Sequence, residues 1–333
     1  MIYHKKPEKN NQNNWYSEQV KLLIDDQQNS WPLFAKNYLV LQKVETRTIN
    51  FDSFTITLQY NPERLISSTA DIEPAEVAHR KCFLCEENLY EQQNGITYKE
   101  DYLILSNPFP IFPEHFTIAK RKHIPQSIFH NFEMMLEAAK DFSSICSLYY
   151  NGPHCGASAP YHMHFQAGTK NYTITEDEYS KIISLHTKQI YCSESVEVRF
   201  IENYLRYLIC FEGRNKAELV RLFKKFYMFY EKITDDNKEP MMNIACSYTN
   251  NFWRVFLFPR GTHRPNQYYE KGEKQIIISP AYVDMCGLLI LPRKEDFDKI
   301  SKEDVVNIFK QITIDKERFE FLKIKTGSIF NKS

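Results

Sequence analysis

The sequence predicts an α+β protein, antiparallel sheets with flanking helices, on three observations. Its 333 residues include 24 Phe and 21 Tyr against only 9 Gly, a composition that favours packed strands over disorder. Several stretches alternate apolar and polar residues with the period of two that a half-buried strand requires. Between them, apolar residues recur at three- and four-residue spacing, which gives a helix one buried face.

In chain order, residues 17–30 read as a helix and residues 38–64 as two strands joined by a turn. "CFLC" follows at 82–85. Residues 101–127, "DYLILSNPFPIFPEHFTIAKRKHIPQS", read strand, proline-rich turn, strand, and 129–150 have helical apolar spacing and good helix formers. The stretch "NGPHCGASAPYHMHFQAG", 151–168, closes a first half. Beyond about residue 170, residues 197–213 predict paired strands and 215–234 an amphipathic helix capped by Asn215. Residues 251–261 predict a buried strand, and 274–312 strand, turn, strand, helix. "LILSNPFPIFPEHFTIAKRKHI" and "QIIISPAYVDMCGLLILPRKEDF" resemble each other, so 102–139 and 275–313 are expected to be two copies of one unit. The expected division is therefore 1–170, with the candidate site, and 171–333, a degenerate copy. No flexible linker separates them, which predicts one shared sheet system.

The 42 basic and 42 acidic residues cancel, so no long-range field recruits nucleic acid or anionic lipid. No apolar run approaches the roughly 18 residues of a membrane span, and the opening residues lack an export segment. The expected address is the cytoplasm. There, eight cysteines read as thiols or metal ligands rather than a disulfide framework.

Cys82 and Cys85 have the C-x-x-C spacing that lets two thiolates reach one tetrahedral zinc. A redox dithiol is the rival, but that motif opens a helix in a βαβ unit, which this region does not suggest. Two further ligands are needed. His123, after a buried strand, and His162 are the candidates, with His115 and His154 as substitutes. For His115, a turn residue bonding backbone is the simpler reading.

On a strand, His162, His164 and Gln166 project to one side, roughly 6.5–7 Å from one to the next. Three such groups on a buried face cost several kcal/mol unless something satisfies them. The preceding "NGPHCGAS" supplies Gly152, Gly156, Ala157 and Ser158, small residues whose amides and hydroxyl can approach a phosphate. A nitrogen nucleophile beside a phosphate cradle points to nucleotidyl transfer through a phosphorylated histidine. Positive charge is expected from Lys120, Arg121, Arg254 or Arg260. Asn107, in the proline-rich turn, joins Gly156, Ser158, Arg254 and Arg260 as a nucleotide- or phosphate-binding candidate.

"SAPYHMHFQ" resembles the H-x-H-x-Q motif of the transferase branch of the histidine-triad superfamily. "CFLC" and "FTIAKRKHI" are similar to the zinc-knuckle and following strand of the galactose-1-phosphate uridylyltransferases. "HMHFQA", "WRVFLFPR" (253–260) and "ISPAYVDMCGLLILPRKEDF" (278–297) give the greatest likeness, to the GDP-L-galactose/GDP-D-glucose phosphorylase group. With "SNPFPIFPEHFTIAK" the resemblance spreads over most of residues 80–300. It implies a histidine-triad-like fold in two degenerate halves and His164 as nucleophile. It further implies Gln166 as holder of phosphate oxygens, and structural Zn2+ on Cys82, Cys85, His123 and His162. The implied reaction takes a nucleoside diphosphate sugar through a nucleotidyl-histidine, releases hexose 1-phosphate, and passes the nucleotide to phosphate or a sugar phosphate; a homodimer is compatible with it. A dinucleoside polyphosphate phosphorylase or hydrolase and a non-catalytic zinc-stabilised nucleotide-binding protein are the alternatives. Tyr161 looks like an insertion before the first histidine, and Glu114-His115 stands where the family often has glycine-histidine.

Overall fold

Alternating segments become strands where a neighbour completes their hydrogen bonds, and here most of them find that neighbour in a single sheet. The structure is a computed structural model that describes residues 1–3, 14–69, 81–234 and 238–331. Its strands are β1 (Ile2–Tyr3), β2 (Glu45–Asn50), β3 (Thr55–Tyr60), β4 (Gly95–Tyr98), β5 (Tyr102–Ser106), β6 (His115–Lys120) and β7 (Cys146–Asn151). They continue as β8 (His164–Thr169), β9 (Thr187–Cys192), β10 (Val196–Ile201), β11 (Leu208–Gly213), β12 (Met242–Thr249), β13 (Phe252–Pro259) and β14 (Leu288–Leu291). The longer helices are α1 (Trp15–Ser30), α2 (Pro32–Leu41), α3 (Phe132–Asp141), α4 (Tyr179–His186), α5 (Lys216–Thr234), α6 (Lys302–Ile312) and α7 (Lys316–Phe330).

Eleven strands form one sheet in the order β1-β4-β5-β6-β8-β7-β12-β13-β11-β10-β9. All its neighbours are antiparallel except β1 with β4. From either end inward the order is the same: β4-β5-β6-β8-β7 and β9-β10-β11-β13-β12, with α3 leading into β7 and α5 into β12. The two units meet where Leu148–Asn151 pair with Asn243–Cys246. A smaller sheet, β14-β3-β2, lies apart.

Period-two alternation sorts the large sheet's side chains into two cores. Phe165 and Ala167 of β8 and Val255 and Leu257 of β13 pack with Met135 of α3 and Phe223 and Phe226 of α5. The rings of Phe132 and Phe223 stack at 3.7 Å between these helices. On the opposite face, Tyr149, Phe256 and Phe258 pack with Tyr282, Met285 and Leu289, against the smaller sheet's Ile56 and Leu58. His164 and Gln166, alternating with Phe165 and Ala167, belong to that second face. Where β8 presents His164 and Gln166, the same face of β13 presents Arg254, Phe256 and Phe258.

Three expectations are corrected. Residues 38–41 belong to α2, and the helix expected over 129–150 stops at Asp141. Cys146–Asn151 instead becomes a central strand because β8 and β12 both offer it ladder partners, which outweighs its helical spacing. The third concerns 275–313, which is no copy of 102–139. Residues 275–281 form no strand, and β14 pairs in parallel with β3 in the smaller sheet. By strand order the counterpart of β4–β8 is β9–β13, and the likeness of the two apolar runs does not reflect a shared position. Asn215 does cap α5, its Oδ1 accepting the Glu218 N–H at 3.1 Å. Among the described residues no helix is long and apolar enough to cross a membrane.

Candidate functional site

Strand β8 and the turn before it carry two centres back to back. In the first, the ligand atoms of Cys82, Cys85, His123 and His162 all lie within 4.8 Å of one another. Cys82 Sγ is 3.3 Å and Cys85 Sγ 3.6 Å from His162 Nδ1, and Cys85 Sγ is 3.1 Å from His123 Nδ1. Tetrahedral zinc with bonds of about 2.3 Å to sulfur and 2.0 Å to nitrogen sets these edges near 3.6 Å. His162 Nε2–H donates to the Lys120 carbonyl at 2.5 Å, which leaves Nδ1 with its lone pair toward the sulfurs and fixes the ring as an outer partner does in metal sites. Without a cation, burial and the neighbouring Cys82 thiol push the Cys85 thiol up to about 11. The donor set therefore fits a tetrahedral divalent ion. His115 and His154 lie outside this cluster.

The second centre is built around the backbone of His164. Its N–H donates to Gln126 Oε1 at 2.8 Å and its carbonyl accepts from Gln126 Nε2 at 3.0 Å, so one side-chain amide acts as the missing strand neighbour. His164 Nδ1–H donates to the His162 carbonyl at 2.8 Å. The unprotonated nitrogen of this buried ring is then Nε2. Burial holds His164 down to about 4, and it is neutral at pH 7.

Gln166 is oriented by a similar chain. The Ile111 N–H donates to His115 Nδ1 at 3.0 Å, so the proton of His115 sits on Nε2, which donates to Gln166 Oε1 at 3.1 Å. With its oxygen engaged, Gln166 has its amide N–H groups for another acceptor. Burial, then the nearby Arg64, holds His115 down to about 3, and the ring stays neutral. Asn107 is fixed alongside, its N–H donating to the His115 carbonyl and its Oδ1 accepting from Phe109 N, each at 3.0 Å.

His164, Gln166, Asn107, Gly156 and Ser158 line one cavity of about 340 Å³. Gly156 has φ +90°, and a Cβ there would lie 2.7 Å from Ala281 Cβ. The small residue thus lets the C-terminal segment close against the loop. The four expected cations are elsewhere. Arg254 pairs with Glu212 at 3.0 Å and lies over the Tyr179 ring at 3.8 Å. Arg260 is buried, with its guanidinium donating to Ile312, Pro280, Thr262 and His263 carbonyls and to Asn243 Oδ1. All five donors are engaged, leaving none for a phosphate. Arg121 pairs with Glu86 at 2.6 Å, and Lys120 lies 5.5 Å from the centre of the Tyr102 ring.

The cations that do line the cavity are Arg64 and Arg264, beside His263. Burial, then Arg264 and Arg260, keeps His263 down at about 3. Sequence reasoning missed all three, and it missed the part His115 plays. A signal existed in "PRGTHRP", where a basic pair sits between glycine and proline directly after a buried strand.

A family model described as "GDPGP1-like, C-terminal domain" matches residues 177–333, and one described as "Domain of unknown function (DUF4922)" matches residues 23–169. The yeast Ap4A phosphorylase Apa2 in complex with AMP shares the fold, with a TM-score of 0.58 at 13% identity over 89% of this chain and 96% of its own. The C-terminal half is thus GDPGP1-like, and the chain as a whole has the fold of an Ap4A phosphorylase. The likeness of fold extends to Apa2 in complex with Ap4A, with a TM-score of 0.57 at 14% identity over 89% of this chain and 97% of that one. Among curated proteins none matches the chain. Family and fold together place it among the nucleotide phosphorylases and nucleotidyltransferases.

Proposed function

We propose that the protein is a nucleotidyltransferase of the GDP-hexose phosphorylase type, acting on a nucleoside diphosphate sugar through a covalent nucleotidyl-His164. One observation carries the reading: the Nδ1–H of His164 is held by the His162 carbonyl at 2.8 Å, which makes Nε2 the nucleophile. Nε2 forms a bond to the α-phosphorus. The bond from that phosphorus to the bridging oxygen breaks, and its electron pair leaves with hexose 1-phosphate. The ring becomes cationic as it attacks, and the carbonyl at Nδ1 faces the growing charge. The Gln166 amide and the Arg64 guanidinium meet the charge on the phosphate oxygens. In the second step an oxygen of phosphate, or of a sugar phosphate, takes the nucleotide from the nitrogen. Hexose 1-phosphate departs as a stable anion, so a glutamine suffices where a proton donor is not needed.

Zinc is the ion proposed for Cys82, Cys85, His123 and His162. Four protein ligands leave no open position, so its work there is to hold β8 and the knuckle in place. The GDP-hexose assignment draws on the family likeness, and the fold shared with an Ap4A phosphorylase supports a dinucleoside polyphosphate as the second reading. The test is incubation with GDP-hexoses, other sugar nucleotides and Ap4A, without acceptor. The expected result is one nucleoside monophosphate per chain by intact mass, acid-labile and base-stable, formed from a sugar nucleotide and absent in His164→Ala. Adduct from Ap4A alone would favour the second reading. Full turnover in His164→Ala would overturn both.

A further inference from the structure

The ladder between the two central strands of the first unit stops short of His164. β8 pairs with β6 through Ala119 opposite His164, but with β7 the last pair is Tyr149 with Gln166. Continued in register, that ladder would set Asn151 against His164. The Gln126 side chain stands between them instead. Its Nε2 donates to the Asn151 and His164 carbonyls, each at 3.0 Å, and its Oε1 accepts the His164 N–H at 2.8 Å. Gln126 is 2% exposed, and both amide protons are used. The loop that carries it is fastened at three places. Ile124 O accepts the Met163 N–H at 2.8 Å, and the Gln126 N–H donates to Pro160 O at 3.2 Å. The Ile128 N–H donates to Glu239 Oε2 at 2.7 Å, and the hydroxyls of Tyr150, Ser127 and Tyr227 bond the same carboxyl. Glu239 enters from the other unit, between α5 and β12. Neither Gln126 nor Glu239 lines the cavity.

We propose that Gln126 is a positioning residue for the His164 nucleophile and that Glu239, from the second unit, locks it in place. The inference rests on the nucleotidyl-His164 reading above. A histidine ring is aimed by its backbone and by its side-chain torsions. The bond from Nδ1 to the His162 carbonyl holds the torsions, and Gln126 holds both polar groups of the backbone. With both fixed, Nε2 has one place to be before substrate arrives. Attack on phosphorus tolerates little error, since a misplacement of about 1 Å can cost roughly 10² in rate. Neither residue touches the reacting atoms, so their effect falls on the rate of attack and not on substrate affinity. The second unit, whose β13 carries Arg254 and Phe256 where β8 has His164 and Gln166, thereby takes a part in the chemistry of the first.

The test follows adduct formation on His164 in the full chain without acceptor, using a GDP-hexose, or Ap4A if that is what labels the wild type. Varying the nucleotide concentration separates the limiting rate from the half-saturating concentration. Gln126→Met keeps the volume and removes the hydrogen bonds; its limiting rate should fall roughly 10²-fold at an unchanged half-saturating concentration. Glu239→Ala frees the loop at Ile128 alone and should slow the step about tenfold. Glu239→Gln keeps an oxygen for the Ile128 N–H and should restore the wild-type rate. In the Gln126→Met background, Glu239→Ala should add nothing. Melting temperature and metal content close to wild type establish that the variants fold; if Gln126→Met does not, the contrast between Ala and Gln at Glu239 decides. A wild-type limiting rate in Gln126→Met or Glu239→Ala, a loss confined to the half-saturating concentration, or equal losses in the two Glu239 variants overturns the proposal and leaves the covalent reading standing. A wild type that forms no adduct overturns the covalent reading, and this one with it.

Discussion

Gln166 and His115 should behave as one unit in a double-mutant cycle. In the proposed reaction the Gln166 amide would donate to phosphate with its oxygen pinned by His115 Nε2–H at 3.1 Å, and that proton is fixed by the Ile111 N–H on the other ring nitrogen. Removing the donor itself, in Gln166→Ala, should slow nucleotidylation of His164 by roughly 10²–10³, the cost of one oxyanion-type donor in a water-excluded site. In His115→Ala the amide remains but is free to turn. One neutral hydrogen bond is worth about 1 kcal/mol net, so the rate should fall roughly fivefold. In the double variant the second change should add almost nothing, which gives a coupling of about 1 kcal/mol. The assay is the first-order rate of adduct formation from a sugar nucleotide, with no acceptor, at a temperature where all four proteins are folded. If the loss from His115→Ala is the same in the Gln166→Ala background, His115 acts only through packing and the orienting role is wrong.

Three further outcomes are expected. Purified protein should contain close to one zinc per chain by elemental analysis, and Cys82→Ser with Cys85→Ser should lose both the metal and thermal stability; a metal-free protein of undiminished stability would contradict this. Arg254→Ala should leave KM for the sugar nucleotide unchanged in steady-state assays while lowering stability, since it leaves the buried Glu212 with one cation, Arg199, beside the Tyr179 hydroxyl. Burial pushes the Glu239 carboxyl from 4.5 up to about 7, with Tyr150 and Ile128 N–H donating to it. The folded chain holds that proton and the unfolded chain releases it, so the stabilisation is complete below the unfolded value and is lost as pH rises through the folded one. Denaturant unfolding should show stability falling by about 1.4 kcal/mol per pH unit across this window, and Glu239→Gln should flatten the curve.

The parts of the site legible in sequence are those whose geometry is local. Period two on a strand places His164 and Gln166 on one face, and C-x-x-C sets two sulfurs together wherever the loop goes. Charge was less informative. Arg260 and Arg254 both flank a buried strand, but sequence does not show whether a guanidinium's donors are already taken by carbonyls. Arg64, Arg264 and His263 are distant in sequence from His164, and only the completed fold brings them to one cavity with it. The internal repeat was misplaced for the same reason. An apolar run such as 275–281 resembles a strand, but strand identity depends on a partner. The true counterpart of β8, β13, has Arg254 and Phe256 where β8 has His164 and Gln166, which removes the H-x-H-x-Q pattern that sequence comparison would match.

The pairing of β7 with β12 bears on how this chain can be cut. A boundary drawn in sequence near residue 170 looks like a place to divide it for expression, because each side holds a complete set of five strands and a helix. Separation there would uncover Cys146–Asn151 and its partner along the middle of the sheet, two long edges of which the first is buried throughout. Bare edges of that kind recruit any strand they meet. The fragments should be recovered as aggregates or as a reassembled pair when produced together, and the smallest piece that stays monodisperse should be one spanning the seam.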